Sequence, residues 1–450
     1  MKTIRIKKGL NLPISGDPVP AVFDGPPVSR VAVTAPDFPG MKPKFLVETG
    51  DKVTLGQPVF TDKKCPELIF TSPGAGIVAA VNRGAKRAFL SLEIDLTSNK
   101  AERTFSTYSA DRLSLLKSDK IRRQLLDSGL WTAFRTRPYG RVADPSIIPH
   151  SIFVTAMDTN PLAPDMAKII EGHEKDFLAG LDLLVTLSGG KVYVCHGPHD
   201  HIPVSDRNSI EYVVFDGPHP AGLPGTHIHF LDPVHRNKHV FHIGMQDVIA
   251  VGKLFTEGRL WTERVVSMAG PGIKNPRMIR TCLGASITDL TRNAMMPGIY
   301  RLISGSVYAG HHANGPLAYL GRYHQQIVAL PEDTERRFLG WLSPGRRLFS
   351  LKRILASSIL PASDYDITTN LHGGRRSIVP VGSYEKVMPL DIQPTYLLRA
   401  LAVDDIEEAE KLGCMELIEE DLGLVTFACP SKIDHMANLR RNLTVIEKEG

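Results

Sequence analysis

Glycine and proline recur along much of this chain and punctuate it into many short segments. The 450 residues include 38 Gly and 33 Pro without a fixed period. That pattern argues for many turns and short strands, and against a collagen-like or low-complexity design. A length of 450 also exceeds what one core organises, so about two to four domains are expected. With 42% hydrophobic and 22% charged residues, the chain can offset the entropy of ordering over most of its length.

The net charge of +5 is mild, and the basic groups come in bursts: Lys42-Pro43-Lys44, Arg122-Arg123, Arg346-Arg347 and Arg375-Arg376. Such bursts are read first as solvated faces, and otherwise as contacts to acidic lipid or an acidic partner. Nucleic acid is not expected, because no aromatic platform or Cys/His finger accompanies the charge. Five scattered cysteines, Cys65, Cys195, Cys282, Cys414 and Cys429, fit a reducing compartment and exclude a disulfide framework. The opening Met1-Lys2-Thr3-Ile4-Arg5 has no apolar run of the signal-peptide kind. The longest apolar stretch, 177–187, contains Asp182 and is too short to span a bilayer. Any membrane role is therefore expected at the surface.

Residues 2–96 read as short strands with Gly/Pro turns. The register Val47-x-x-Gly50-Asp51-x-Val53-x-x-Gly56-Gln57, followed by a lysine hairpin and Ser72-Pro73-x-x-Gly76, resembles biotinyl- and lipoyl-type barrel-sandwich domains. Lys63 and Lys64 occupy the turn that is modified in those carriers, but Cys65-Pro66 does not continue a carrier lysine motif. A docking or scaffold module is the better reading. Leu113, Leu116, Ile121 and Leu125 give one helical face in the stretch that follows. From about 150 the rhythm becomes strand–helix–strand, with strands at 152–156, 191–195 and 212–215 and a helix at 165–179. Positions 183–187 either finish that helix or form a short strand. β character returns at 258–315, and 396–421 is helical.

Nucleotide binding is the first chemistry to test in an α/β domain. Strand 152–156 is followed by Met157-Asp158-Thr159-Asn160-Pro161-Leu162-Ala163-Pro164, without a glycine. A pyrophosphate needs glycines there so that backbone N–H groups can approach it. The later Gly217–Gly225 run is blocked by prolines, which lack the donor. Histidine is the louder signal, with nine of the 16 between positions 196 and 242. On a strand, His227 and His229 would share a face, and His239 or His242 would add a third metal ligand. The plainer reading is a set of satisfied or surface histidines. His196 with Asp200 or Cys195 is a further acid–base or nucleophilic pair, without a third orienting group. The cysteines are too dispersed to hold an iron–sulfur cluster locally.

Several motifs together carry a more specific resemblance. They are Ile4-x-Ile6-Lys7-Lys8-Gly9-Leu10-Asn11-Leu12-Pro13, Gly50-Asp51-x-Val53-x-x-Gly56-Gln57-Pro58, Val81-Asn82-Arg83-Gly84-Ala85-Lys86-Arg87 and Gly189-Gly190-Lys191-Val192-Tyr193-Val194-Cys195. Gly225-Thr226-His227-Ile228-His229-Phe230, Gly270-Pro271-x-Ile273-Lys274-Asn275-Pro276 and Thr426-Phe427-Ala428-Cys429-Pro430 complete the series. With these the whole chain resembles the NqrA family of the bacterial sodium-translocating NADH:quinone oxidoreductases.

The resemblance implies a peripheral subunit on the cytoplasmic side of the bacterial inner membrane. The assembly passes electrons from NADH to ubiquinone and exports sodium. It implies no cofactor on this chain: FAD, FMN, riboflavin and iron–sulfur centres belong to other subunits. Partners would be those subunits, especially the quinone-proximal membrane B subunit, with ubiquinone and the membrane surface. It also implies likeness to the flavoprotein of respiratory complex I, with only Cys429-Pro430 left of a four-cysteine pattern.

The expected architecture is a multi-domain α+β scaffold. It comprises a barrel-sandwich at 1–100, a helical connector at 101–145, a Rossmann-like α/β domain at 146–255, a β-grasp (SLBB-like) domain at 256–325 and a mixed or helical region at 326–450. No catalytic, cofactor or metal residue is assigned. Lys44, Phe45, Trp131, Phe134, Arg135 and Arg137 are candidates for a quinone- or membrane-proximal surface. The competing expectation is a soluble metal-dependent enzyme using the histidine-rich 196–242 segment.

Overall fold

Strands Ile152–Thr155, Val192–His196, Ile210–Asp216 and Val240–Gly244 are apolar runs buried on both faces, as parallel strands under helices must be. The computed structural model, which describes residues 2–98, 100–333, 342–352 and 354–449, sets them in a six-stranded sheet. Its order is Lys2–Arg5, Ile210–Asp216, Val192–His196, Ile152–Thr155, Val240–Gly244, Arg135–Arg137. Only the last strand is antiparallel to its neighbour. The sequence therefore leaves Ile152–Thr155 first to one side and later to the other, which makes its C-terminal end a topological switch point.

Helices Glu174–Leu187 and Met245–Thr256 pack closely together. A Cβ on Gly180 would lie 2.2 Å from the Val248 carbonyl oxygen, and one on Gly252 would lie 1.9 Å from that of Asp176. The helix expected at 165–179 is instead two, Met166–Ile170 and Glu174–Leu187, broken at Gly172 in a left-handed conformation (φ +83). Positions 183–187 finish the second of them.

A second six-stranded sheet has the order His311–His312, Tyr300–Ser304, Gln326–Pro331, Glu263–Ala269, Arg277–Cys282, Val19–Asp24. Helix Ile287–Thr291 adds Ile287 and Leu290 to its core, giving the β-grasp-type unit. The barrel-sandwich pairs a four-stranded sheet of Arg30–Thr34, Phe89–Leu96, Gly76–Arg83 and Lys52–Val53 with a three-stranded sheet of Pro43–Phe45, Pro58–Asp62 and Ile69–Thr71. Phe60 and Phe70 stack at 4.6 Å in its centre. The first 24 residues lie outside this sandwich and lend one strand to each larger sheet, where their partners are 210–216 and 277–282.

Helices Pro394–Val403, Gly423–Ala428 and His435–Glu449 enclose a separate C-terminal core of Tyr384, Leu397, Leu401, Leu439 and Leu443. Among the described residues, no helix is long and apolar enough to cross a membrane.

Candidate functional site

The switch-point turn takes an unusual path because it lacks glycine. Leu162 adopts a left-handed backbone (φ +64), a conformation that costs a β-carbon-bearing residue about 1–3 kcal/mol. It is held there by the neighbouring domain. Its side chain is 3% exposed and packs with Ile14, Ala269, Ile303 and Val328, while Ser267 Oγ donates to its carbonyl at 2.6 Å. Where a dinucleotide fold leaves room for phosphate, this turn inserts a leucine into the second sheet.

The other half of the switch point is the N-terminus of helix Met245–Thr256, which starts directly after strand Val240–Gly244. Free N–H groups there attract an anion. The chain's own Asp247 stands in the first turn, 7% exposed, paired with Arg264 and, at 2.9 Å, with Arg322. Burial lowers the Arg264 guanidinium to about 10 despite that partner. Gln246 docks the helix on the second sheet, donating to the Val265 carbonyl and accepting the Val265 N–H, each at 2.9 Å.

Between these elements lies a cleft of about 140 Å³ lined by Arg135, Asp158, Asp247, Arg322, Tyr323 and Glu420 among others. Ligand pockets for drug-sized molecules run to roughly 300–1,000 Å³. Asp158 accepts from the backbone and side-chain nitrogens of Asn160 at 2.8 Å, and burial pushes its carboxyl up to about 6. A shallower depression of about 390 Å³ on the other side of the turn is lined by Asp17, Asp158 and Asp165 with several prolines. Gly222 closes the turn against the 217–225 loop: its N–H donates to Thr159 Oγ1 at 2.8 Å, and a Cβ would lie 2.7 Å from the Thr159 nitrogen. A flavin or nicotinamide dinucleotide does not fit this switch point, since carboxylates and a buried leucine stand where its phosphates would go.

Arg135 and Arg137 alternate along their short strand, so both face the C-terminal domain. Arg137 is fully buried and donates to Asp421 at 2.6 Å and to the Glu416 carbonyl at 2.8 Å. Arg135 reaches Glu420 at 3.3 Å and lies over the Tyr323 ring at 4.9 Å. Helix Pro224–Leu231 starts against the same acids; a Cβ on Gly225 would be 2.1 Å from Asp421 Oδ1.

The six expected surface residues do not form one site. Lys44 is exposed and Phe45 partly buried on strand Pro43–Phe45 of the sandwich. Trp131 and Phe134 are 2% and 1% exposed and pack on Phe241, so the expectation that they face headgroups or water is corrected. Arg137 is corrected likewise, to an internal ion pair. Arg135 alone of the basic pair lines the cleft.

The alternative reading of His227 and His229 as metal ligands on one strand face is corrected as well. His227 and His229 lie on helix Pro224–Leu231, where residues two apart point to nearly opposite sides. His227 Nε2 donates to the Ala221 carbonyl at 2.9 Å; His229 bonds Glu416 at 2.8 Å and accepts the Asp391 N–H at 2.9 Å. The strand reading failed because Pro224 opens the helix at its favoured first position. Among the described residues no group of three His, Cys, Asp or Glu side chains is placed to hold a metal ion. Asp200 accepts from the Gly197 N–H at 2.7 Å and His196 Nδ1 bonds the Gly197 carbonyl at 2.9 Å, so that pair is spent on a turn. Cys429 is buried and bonded by Tyr384 Oη at 3.2 Å and His435 Nε2 at 3.3 Å.

Sequence reasoning missed Leu162, Asp247, Arg264, Arg322 and the acids at 419–421. Their partners are remote in the chain, and only the period-2 spacing of Arg135 and Arg137 hinted at a shared acidic target.

Three family models match the chain. They describe an NqrA N-terminal barrel-sandwich hybrid domain over residues 4–97, an NqrA second alpha/beta domain over 116–260, and an NQRA C-terminal domain over 265–315. The chain is 50% identical over 447 residues to the Na(+)-translocating NADH-quinone reductase A subunit of Cellvibrio japonicus, covering 99% of this chain and 100% of that one. It is similar at 51% over 449 residues to that of Hahella chejuensis, with the same coverage. A solved chain of an NAD+-reducing [NiFe]-hydrogenase aligns with a TM-score of 0.42 at 12% identity, over 75% of this chain and 65% of that chain.

Proposed function

Because this chain belongs to the NqrA family of Na(+)-translocating NADH-quinone reductases, we propose that it is a peripheral, cytoplasm-facing scaffold carrying no electron carrier of its own. The reaction of the assembly is reduction of ubiquinone by NADH coupled to Na(+) export. Flavins and iron–sulfur centres in sister subunits move the electrons. This chain's residues supply a rigid platform at the quinone end, with the membrane B subunit as the principal contact.

The observation that carries the cofactor-free reading is the filled switch point. Leu162 plugs the turn, and Asp247 stands at the helix N-terminus in the anion's place, already paired with Arg264 and Arg322. A phosphate entering there would meet two carboxylates, Asp158 and Asp247, around a cleft of about 140 Å³. Proximity to quinone is supported more narrowly, by Arg135 at the cleft, whose side chain is 17% exposed and lies over Tyr323.

Isolation of the tagged chain from solubilised membranes tests the reading. Multi-span partners and covalent flavin are expected to arrive with it; a chain that elutes alone, in the absence of any integral membrane protein, contradicts it.

A further inference from the structure

Seven of the 20 large apolar side chains exposed among the described residues lie between positions 342 and 381. The most exposed are Ile359 at 81%, Ile354 at 75%, Leu360 at 66% and Leu371 at 65%. The same stretch holds six basic residues against two acidic ones, a net +4 in a chain whose total is +5. Arg346, Arg347, Lys352, Arg375 and Arg376 are exposed, and none has an ion pair among the described residues.

This stretch carries little regular structure, yet it is fixed to the body. Tyr365 N–H donates to the Pro13 carbonyl at 2.9 Å, and the Tyr365 carbonyl accepts the Ser15 N–H at 3.0 Å. Phe349 packs against the Tyr365 ring at 5.9 Å, and Ser357 Oγ donates to the Leu348 carbonyl at 2.6 Å. Anchored at Tyr365, the segment leaves its apolar and cationic side chains exposed. At one end, Ser377 and Ile378 border a mainly apolar groove of about 540 Å³ shared with exposed Tyr396 and Val403.

We infer that the described residues of the 342–381 stretch form a lipid-contacting surface that takes anionic headgroups. Apolar side chains interleaved with unpaired cations suit a bilayer interface: the aliphatic groups enter the acyl boundary while guanidinium groups stay at phosphate level. A protein–protein interface core is instead enriched in aromatic side chains, whereas every large apolar side chain exposed in this stretch is aliphatic. The inference deepens the peripheral-subunit reading and rests on it for the presence of a membrane, while lipid binding is a property of this chain.

The test is sedimentation of the full chain with vesicles of phosphatidylcholine, alone or mixed with phosphatidylglycerol. Binding is expected only to the mixed vesicles and weakens with salt. Together, Arg346→Gln, Arg347→Gln, Arg375→Gln and Arg376→Gln lower it by about a hundredfold or more, on the scale of charge–surface attraction. Ile359→Ser with Leu360→Ser lowers the binding that survives in high salt. Equal binding by the charge variant overturns the proposal, as does a wild-type chain that ignores both vesicles. If that chain ignores vesicles and the charge variant no longer co-purifies with the assembly, the surface belongs to a protein partner: the lipid proposal fails and the peripheral-subunit reading stands. A wild-type chain that never co-purifies with integral membrane proteins defeats the peripheral-subunit reading instead, whatever the vesicles report.

Discussion

Arg137 and Asp421, 284 positions apart, meet in an ion pair of 2.6 Å whose side chains are 0% and 2% exposed. It joins the edge strand of the α/β sheet to the C-terminal helical domain. Removing one partner of a dry pair leaves an uncompensated charge, which costs about 3–5 kcal/mol. Arg137→Met is therefore expected to lower the urea midpoint strongly, and Arg137→Met with Asp421→Leu to recover most of it. A double variant no more stable than the single one would show that the pair does not act as a unit.

The left-handed Leu162 gives a second expectation. Leu162→Ala removes packing from the inter-domain core and costs about 2–5 kcal/mol. Leu162→Gly loses slightly more packing but relieves the backbone, so it is expected to be no less stable than Leu162→Ala. Urea denaturation of both variants reads the order; a glycine variant clearly below the alanine one removes strain from the account.

Much of this was legible from the residues. The strand run at 152–156, the glycine-free turn after it and the sandwich register around Gly50 and Gly56 follow local rules, and all three reappear in the fold. What was not legible is where the turn goes. Leu162 meets Ser267 across 105 positions, and nothing local marks that contact. The strands at Lys2–Arg5 and Val19–Asp24 pair outside the sandwich for the same reason, since a strand's pattern names its faces and not its partner. The apparent surface arginine, Arg137, was read from charge alone, and its acid lies at the far end of the chain.

Asp247 is expected to act as a built-in anion. Asp247→Asn leaves Arg264 and Arg322 without their carboxylate at a helix N-terminus, so the variant should lose about 3–5 kcal/mol. Added sulfate should then restore part of its unfolding temperature and do little for the wild type. Equal sulfate responses would contradict this assignment.

Acid sensitivity should come from the buried histidines. Burial holds His219 and His227 down to about 3, while the unfolded chain takes protons near the ordinary histidine value. Between those values the unfolded state binds more protons, so stability is full above about pH 6.5 and falls as pH drops. Each group contributes up to about 1.4 kcal/mol per pH unit in that window. Asp158, raised to about 6, works the other way, since its contribution is full below its ordinary value and shrinks as pH rises to 6. The histidines outnumber it. Thermal unfolding should thus fall from pH 6.5 to 4.5, and His227→Gln should flatten the slope; a flat profile in the wild type speaks against buried neutral imidazoles.

The filled switch point is tested most directly by separating the native assembly into its subunits and assaying flavin, iron and acid-labile sulfide on this chain. The account predicts background levels here, with the carriers recovered on the remaining subunits. One flavin or one cluster per copy of this chain would contradict it.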